Sequence, residues 1–123
     1  MTDWQAAPLI DDAIVASLFE LGGAEDPGLF RELVDLYLAD TPRLLSALEE
    51  CLNSGDGSGL ERAAHTLKSS SANMGAARLS SLCKDLEAHA RSHQFEEVPS
   101  LVAEARKVFG KVAGALKSKS GVA

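Results

Sequence analysis

The chain is predicted to be all-α: an antiparallel, up-and-down four-helix bundle with a short additional N-terminal helix. Three observations predict it. Apolar residues recur at intervals of three and four rather than alternating, which is the helical period. The periodic segments are joined by short polar links, and short links make successive helices antiparallel neighbours. The 123 residues are enough for one domain with a real core, and the 46% hydrophobic and 24% charged content is that of a globular chain.

The elements follow in order. Residues 1–9 read as a flexible leader, with Trp4 either folded back or free and Pro8 preceding the first periodic segment. The bundle domain spans 10–117, and 118–123 read as a disordered tail. Asp11 or Asp12 caps a short helix carrying Ile14, Val15, Leu18 and Leu21, which Gly22-Gly23 stops. Asp26-Pro27 supplies a cap and a first-turn proline for the next helix. That helix carries Phe30, Leu33, Val34, Tyr37, Leu38, Leu45, Leu48 and Leu52. Its stripe continues through Pro42 without loop residues, so one long helix kinked there is expected, the alternative being two helices broken there.

A turn over Asn53–Gly57 follows, and Ser58 with Glu61 fits a capping box opening the third helix. Gly75 is expected to end that helix in the left-handed conformation. The fourth helix carries Leu79, Leu82, Cys83, Leu86 and Ala90, and a polar link runs from Ser92 to Glu97. The fifth carries Leu101, Val102, Ala105, Val108, Phe109, Val112 and Leu116, with Pro99 in its first turn. No repeat and no second domain are visible.

The third helix is unusual on its polar side. At about 100° per residue, taking Leu67 as the core direction, Leu60, Ala63, Ala64, Ser70, Ser71 and Met74 lie within about 60° of it. His65 lies about 160° away, among Arg62, Lys68, Ser69 and Ala72. Exposed helix faces normally carry long Glu and Lys side chains. Small residues around one imidazole leave it accessible to something large.

Charge narrows the partners. The net charge of −6 argues against nucleic acid. Residues 57–94 hold five cations (Arg62, Lys68, Arg78, Lys84, Arg91) against three carboxylates (Glu61, Asp85, Glu87), a net of +2, so the remainder carries −8. The His65 segment is the mildly positive part of an acidic chain, which suits an anionic ligand or an acidic surface, although ordinary charge scatter gives the same count. No apolar run is long enough to span a membrane, and no secretion leader is visible, so a cytoplasmic protein is expected. Cys51 and Cys83 sit on apolar stripes and read as reduced core thiols.

Most catalytic motifs are absent: no Gly-rich phosphate loop, H-E-x-x-H, C-x-x-C or G-x-S-x-G. His89 and His93 are spaced to reach one metal from one helix face, but no third ligand is placed for it. Ser69-Ser70-Ser71 near His65 lacks an orienting carboxylate for a triad, and Ser70 and Ser71 point coreward. His65 alone has a chemistry: neutral imidazole is a nucleophile near pH 7. With a phosphoryl electrophile, a cation one turn away is well placed, and Lys68 is there. On physics alone, an exposed helical histidine is more often an ordinary surface residue.

The stretch Ala64-His65-Thr66-Leu67-Lys68-Ser69-Ser70-Ser71-Ala72-Asn73-Met74-Gly75 resembles the signature of histidine-containing phosphotransfer (HPt) domains of the bacterial hybrid-sensor-kinase type. Leu79, Leu82, Cys83, Leu86 and Glu87 resemble the family's next helix, and Leu33–Pro42 resembles its second-helix stretch. The similarity spans roughly residues 9–116. It implies a four-helix bundle that relays phosphate between receiver-domain aspartates without kinase activity of its own. His65 would be phosphorylated, Lys68 would steady the phosphoryl group, and Arg62, Ser69 and Ala72 would lie under a docked receiver. The partners implied are receiver domains of response regulators and hybrid sensor kinases. No cofactor of its own is expected, magnesium belonging to the receiver, and a monomer is expected. The setting is the cytoplasm, either as a free protein or as the cytoplasmic C-terminal domain of a membrane sensor kinase. One departure stands out: the family commonly has glycine four residues after the histidine, where this chain has Ser69. The alternative is a helical adaptor that binds receivers without carrying phosphate.

Overall fold

Among the described residues, 3–121 of a computed structural model, a 3-10 turn (Trp4–Ala6) is followed by α1 (Asp12–Gly22), α2 (Leu29–Ser54), α3 (Gly57–Asn73), α4 (Ala77–Arg91) and α5 (Val98–Ser120), and there is no strand. The four long helices close a ring: α2 on α3, α3 on α4, α4 on α5 and α5 back on α2. This is the expected up-and-down bundle. The α3–α4 contact is the most extensive. None of the helices is long and apolar enough to cross a membrane.

The buried stripes are largely those of the helical projection. Leu60, Leu67 and Met74 of α3 face inward, as do Leu79, Leu82, Cys83 and Leu86 of α4. Burial pushes the Cys83 thiol up to about 12, so it stays a thiol and packs as a small hydrophobe. Cys51 is also a free thiol. Two polar groups are fully inside, and each is satisfied. Ser71 exchanges a 2.7 Å hydrogen bond with the Tyr37 hydroxyl, and Thr41 donates to the Tyr37 carbonyl at 2.7 Å. Burial pushes the Tyr37 phenol up to about 12, so it remains neutral. Helix α2 runs unbroken through Pro42.

The turn between α3 and α4 fixes their register. Gly75 has φ 75°, and its N–H bonds to Ala72 O while Ala76 N–H bonds to Ser71 O. That pair closes α3 as a Schellman motif. Gly75 is also close-packed: a Cβ there would lie 3.1 Å from Asp11 O and 3.2 Å from Val15 Cγ2. Its carbonyl accepts the Asp11 N–H at 2.7 Å. The start of α1 is thus pinned to the turn, and the far part of α1 rests on α2 through a 4.2 Å stack of Phe19 on Phe30. Asp11 caps α1 by accepting from Ala13 and Ile14 N–H.

Several boundaries differ from the sequence reading. Asp26-Pro27 lies in the connection, and α2 begins at Leu29 behind Gly28. The α3 cap is Asp56, which accepts from Gly59 N–H at 2.9 Å, rather than Ser58. Asp56 can come that close because residue 59 is glycine; a Cβ there would strike the Asp56 carboxylate and lie 2.7 Å from Cys51 Sγ. Over its described part, the leader of residues 1–9 is tied down. Trp4 packs against the core, the 3-10 turn rests on α4, and Arg78 Nε donates to Ala7 O at 2.9 Å. The described part of the expected tail is ordered: α5 continues to Ser120, with Lys117 and Lys119 in the last turn where cations suit the dipole. Lys119 also reaches Asp12 at 2.9 Å. The rest of the leader and tail expectations, residues 1–2 and 122–123, lies outside the described residues.

Leu67 adjoins the exposed face in sequence yet is wholly buried. Leu67→Ala should therefore lower unfolding free energy by about 2–5 kcal/mol. Urea denaturation checks this, and a wild-type midpoint would mean that the α3 phase is wrong.

Candidate functional site

His65 stands on the outer face of α3, its side chain 59% exposed. Its Nδ1 is 2.6 Å from Glu87 Oε2. Lys68 Nζ donates to the other oxygen, Oε1, at 2.6 Å. The expected pair is therefore a triad of contacts on one carboxylate. Glu87 comes from α4 and is only 6% exposed at its side chain. A carboxylate so placed needs partners for both oxygens. A third donor completes the set: Arg91 Nη2 reaches Oε2 at 3.2 Å. Burial pushes the Glu87 carboxyl up, but hydrogen bonds from Lys68 and His65 and their charges pull harder, and it sits below the usual carboxylate range. Its charge consequently stabilises the fold above the ordinary carboxylate pKa, and that contribution is lost as pH falls through the depressed value.

An ionised carboxylate only accepts, so the proton on His65 belongs on Nδ1 and the lone pair on Nε2. No protein group among the described residues bonds to Nε2. The site thus holds one imidazole nitrogen and presents the other. Lys68 is less exposed than the projection suggested, 29% at the side chain, because it leans across to α4. Ser80 Oγ donates to Lys68 O at 2.9 Å and ties the same turn of α3 to α4.

The structure places Arg62, Ser69 and Ala72 on the exposed face with His65. Lys68 and Ala72 also line a shallow groove with Ile14, Ser80 and Lys84. Ser71 is buried on Tyr37 and Ser70 bonds back to Leu67 O, so neither reaches the imidazole. His89 and His93 do not share a helix face, because α4 ends at Arg91 and His93 lies beyond it with φ 57°. His89 Nε2 lies instead 3.7 Å from Glu97.

Glu87 is the residue that the projection missed. A helical wheel shows which way a side chain points, and not what stands opposite. The signal was available in the spacing: His65 and Glu87 stand eleven residues before and after Ala76, the residue that follows the Gly75 turn. In an antiparallel hairpin, such positions face each other.

The model of the Hpt domain matches residues 32–117. Among curated proteins no match is found. Among solved structures, the chain is similar to the crystal structure of histidine-containing phosphotransfer protein B from Pseudomonas aeruginosa. Identity is 34% and the TM-score 0.85, over 94% of this chain and 97% of that one. It also shares its fold with a rice protein provisionally assigned as a histidine-containing phosphotransfer protein, at 22% identity and TM-score 0.81, over 93% of this chain and 82% of that one. A family match across most of the bundle, an outward histidine on α3 and a closely superimposable solved relative agree: the chain belongs to the Hpt domain family.

Proposed function

We propose that this protein is a phosphorelay intermediate whose His65 accepts a phosphoryl group from a receiver-domain aspartate and passes it to the aspartate of another receiver. The observation that carries the reading is the His65 Nδ1 to Glu87 bond of 2.6 Å, which leaves Nε2 as the nucleophile. The Nε2 lone pair attacks phosphorus in line, and the bond from phosphorus to the aspartate oxygen breaks. The aspartate leaves as a carboxylate. The imidazole now carries the phosphoryl group on Nε2 and its original proton on Nδ1, hence a positive ring. Glu87 balances that charge. Lys68 faces the negative phosphoryl oxygens. Return of the group runs the same path backwards.

The chain then acts as a carrier, without kinase activity of its own. The magnesium ion that such chemistry requires belongs to the receiver. Docking is assigned to the face of Arg62, Ser69 and Ala72, with the neighbouring groove beside Ile14. A receiver's acidic site would meet Arg62, Lys68 and Lys84 there. An adaptor that binds receivers without carrying phosphate would keep this surface and never become labelled.

The decisive experiment is incubation with phosphorylated receiver domains. Acid-labile, base-stable label should appear on His65, and His65→Gln should abolish it while the fold persists, at a cost of no more than about 3 kcal/mol from the altered bond to the Glu87 carboxylate. Label retained in that variant would sink the assignment.

Glu87→Ala should release Nδ1, and ring ¹⁵N chemical shifts should move from a single Nδ1–H tautomer toward the Nε2–H form. Phosphorylation by a receiver should slow by about tenfold or more, as expected for losing a charge-assisted bond to the reacting group. An unchanged tautomer would show that Glu87 does not orient the ring.

Reacting atoms must approach to about 3–3.5 Å, so bulk beside His65 should hold a receiver off. Ser69→Arg should fold normally, lose transfer from receivers and still be labelled by a small phosphodonor such as phosphoramidate. Equal loss with both donors would place the effect on the imidazole instead of on docking.

A further inference from the structure

The Glu87 carboxylate carries more cationic partners than its negative charge requires. Lys68 takes Oε1 at 2.6 Å, and Oε2 is shared by His65 Nδ1 at 2.6 Å and Arg91 Nη2 at 3.2 Å. Arg91 is in turn held from the other side: its Nε donates to Glu61 Oε2 at 2.9 Å. Glu61 lies on α3, four residues before His65, and Arg91 on α4, four after Glu87. A chain of charges, Glu61 to Arg91 to Glu87, therefore crosses the α3–α4 seam and ends on the imidazole. Its middle member is 64% exposed at the side chain, whereas Glu87 is 6%.

This excess of cations has a use if His65 is phosphorylated, and the inference rests on that reading. A phosphoryl group brings about −1.5 to −2 of new charge to the ring. The cation one turn along α3 from His65 is Lys68, now engaged with Glu87. An ammonium is a point charge on a flexible stem, so it can turn to a stronger anion. If it were the only cation on Glu87, its departure would leave a buried carboxylate uncompensated, which is costly. Glu87 would then protonate or turn toward water, and the bond that holds Nδ1 would go. Arg91 prevents this. Its planar fork serves Glu61 and Glu87 from two different nitrogens, and the Glu61 bond keeps the guanidinium in place. We infer that Arg91, anchored by Glu61, is a positioning residue: it keeps Glu87 charged and on Nδ1 while Lys68 turns to the phosphoryl group. Arg91 acts through Glu87 and does not touch the phosphoryl oxygens.

The test uses the full chain, labelled on His65 with phosphoramidate so that docking is not involved. The lifetime of the phosphohistidine is followed together with the ¹⁵N shift of Nδ1. In Arg91→Ala the lifetime should fall by about fivefold to tenfold, the scale of one charge-assisted hydrogen bond. The Nδ1 signal of the phosphorylated form should lose its hydrogen-bonded shift. Glu61→Gln should move both readouts the same way, and the double variant should be no worse than Arg91→Ala, since the two act as a unit. In a Glu87→Gln background, which keeps the shape without the charge, Arg91→Ala should change the lifetime no further. A further loss in that background would mean that Arg91 contacts the phosphoryl group directly, and would overturn the inference. So would a wild-type lifetime in Arg91→Ala. Normal labelling with an unchanged lifetime removes this inference alone, whereas no label on wild-type His65 removes the phosphorelay reading with it.

Discussion

The site depends on the register of α3 against α4, and the register depends on the turn between them. A left-handed residue at 75 closes α3 within one residue of its last full turn. Slipping that closure by one residue would rotate α4 by about 100° against its neighbour. Glu87 would then face another part of the seam, and Leu82 and Leu86 would leave the core. Core packing and site geometry are therefore one constraint. The carbonyl of the same glycine accepts the N–H of Asp11, the cap of α1, so the N-terminal helix is seated by the element that aligns the site.

From this alignment follows a division of labour between the two helices. α3 supplies the groups that face outward, His65 and Lys68, on a face of small side chains. α4 supplies the buried carboxylate that orients them. A histidine held at one nitrogen by a carboxylate has a fixed tautomer and ring plane, much as a second partner fixes a metal-ligating histidine. The bundle contributes rigidity rather than a cavity. Hydrogen bonds such as Ser80 to Lys68 O and Tyr37 to Ser71 brace the turns of α3 beneath the site.

Much of this was legible in the sequence. The apolar period identified the four bundle helices and the α1 segment, the outward direction of His65 and the inward direction of Leu67, because burial on one face is a local, periodic signal. Gly75 was legible since few residues tolerate its backbone angle. Glu87 shows no role in the sequence, because its role arises only when two helices are laid side by side. Lys68 was placed on the right face, yet its lean toward α4 follows from that same carboxylate. Helix starts were less legible. Asp26-Pro27 and Ser58 both carry good local signals, and in each case a neighbour prevailed: Gly28 precedes α2, and Asp56 gains its bond through the bare Cα of Gly59. Trp4 could not be placed from sequence because its contacts lie on α4, far along the chain.

The 2.9 Å contact between Lys119 and Asp12 has a consequence for how the domain can be wired. It brings the beginning of the first helix and the end of the last to the same end of the bundle, the end that also holds the Gly75 turn. Upstream of α1 the chain runs back along α4: Trp4 and Gln5 lie beside Asp85, His89 and Glu97, toward the link between α4 and α5 at the opposite end. A module tethered upstream would thus leave from that side, and one tethered downstream from beside the Gly75 turn. The local concentration that a tether imposes depends on the span it must bridge. Upstream and downstream attachment give different spans to His65, so the order in which modules are strung along a chain bears on which of them reaches the histidine.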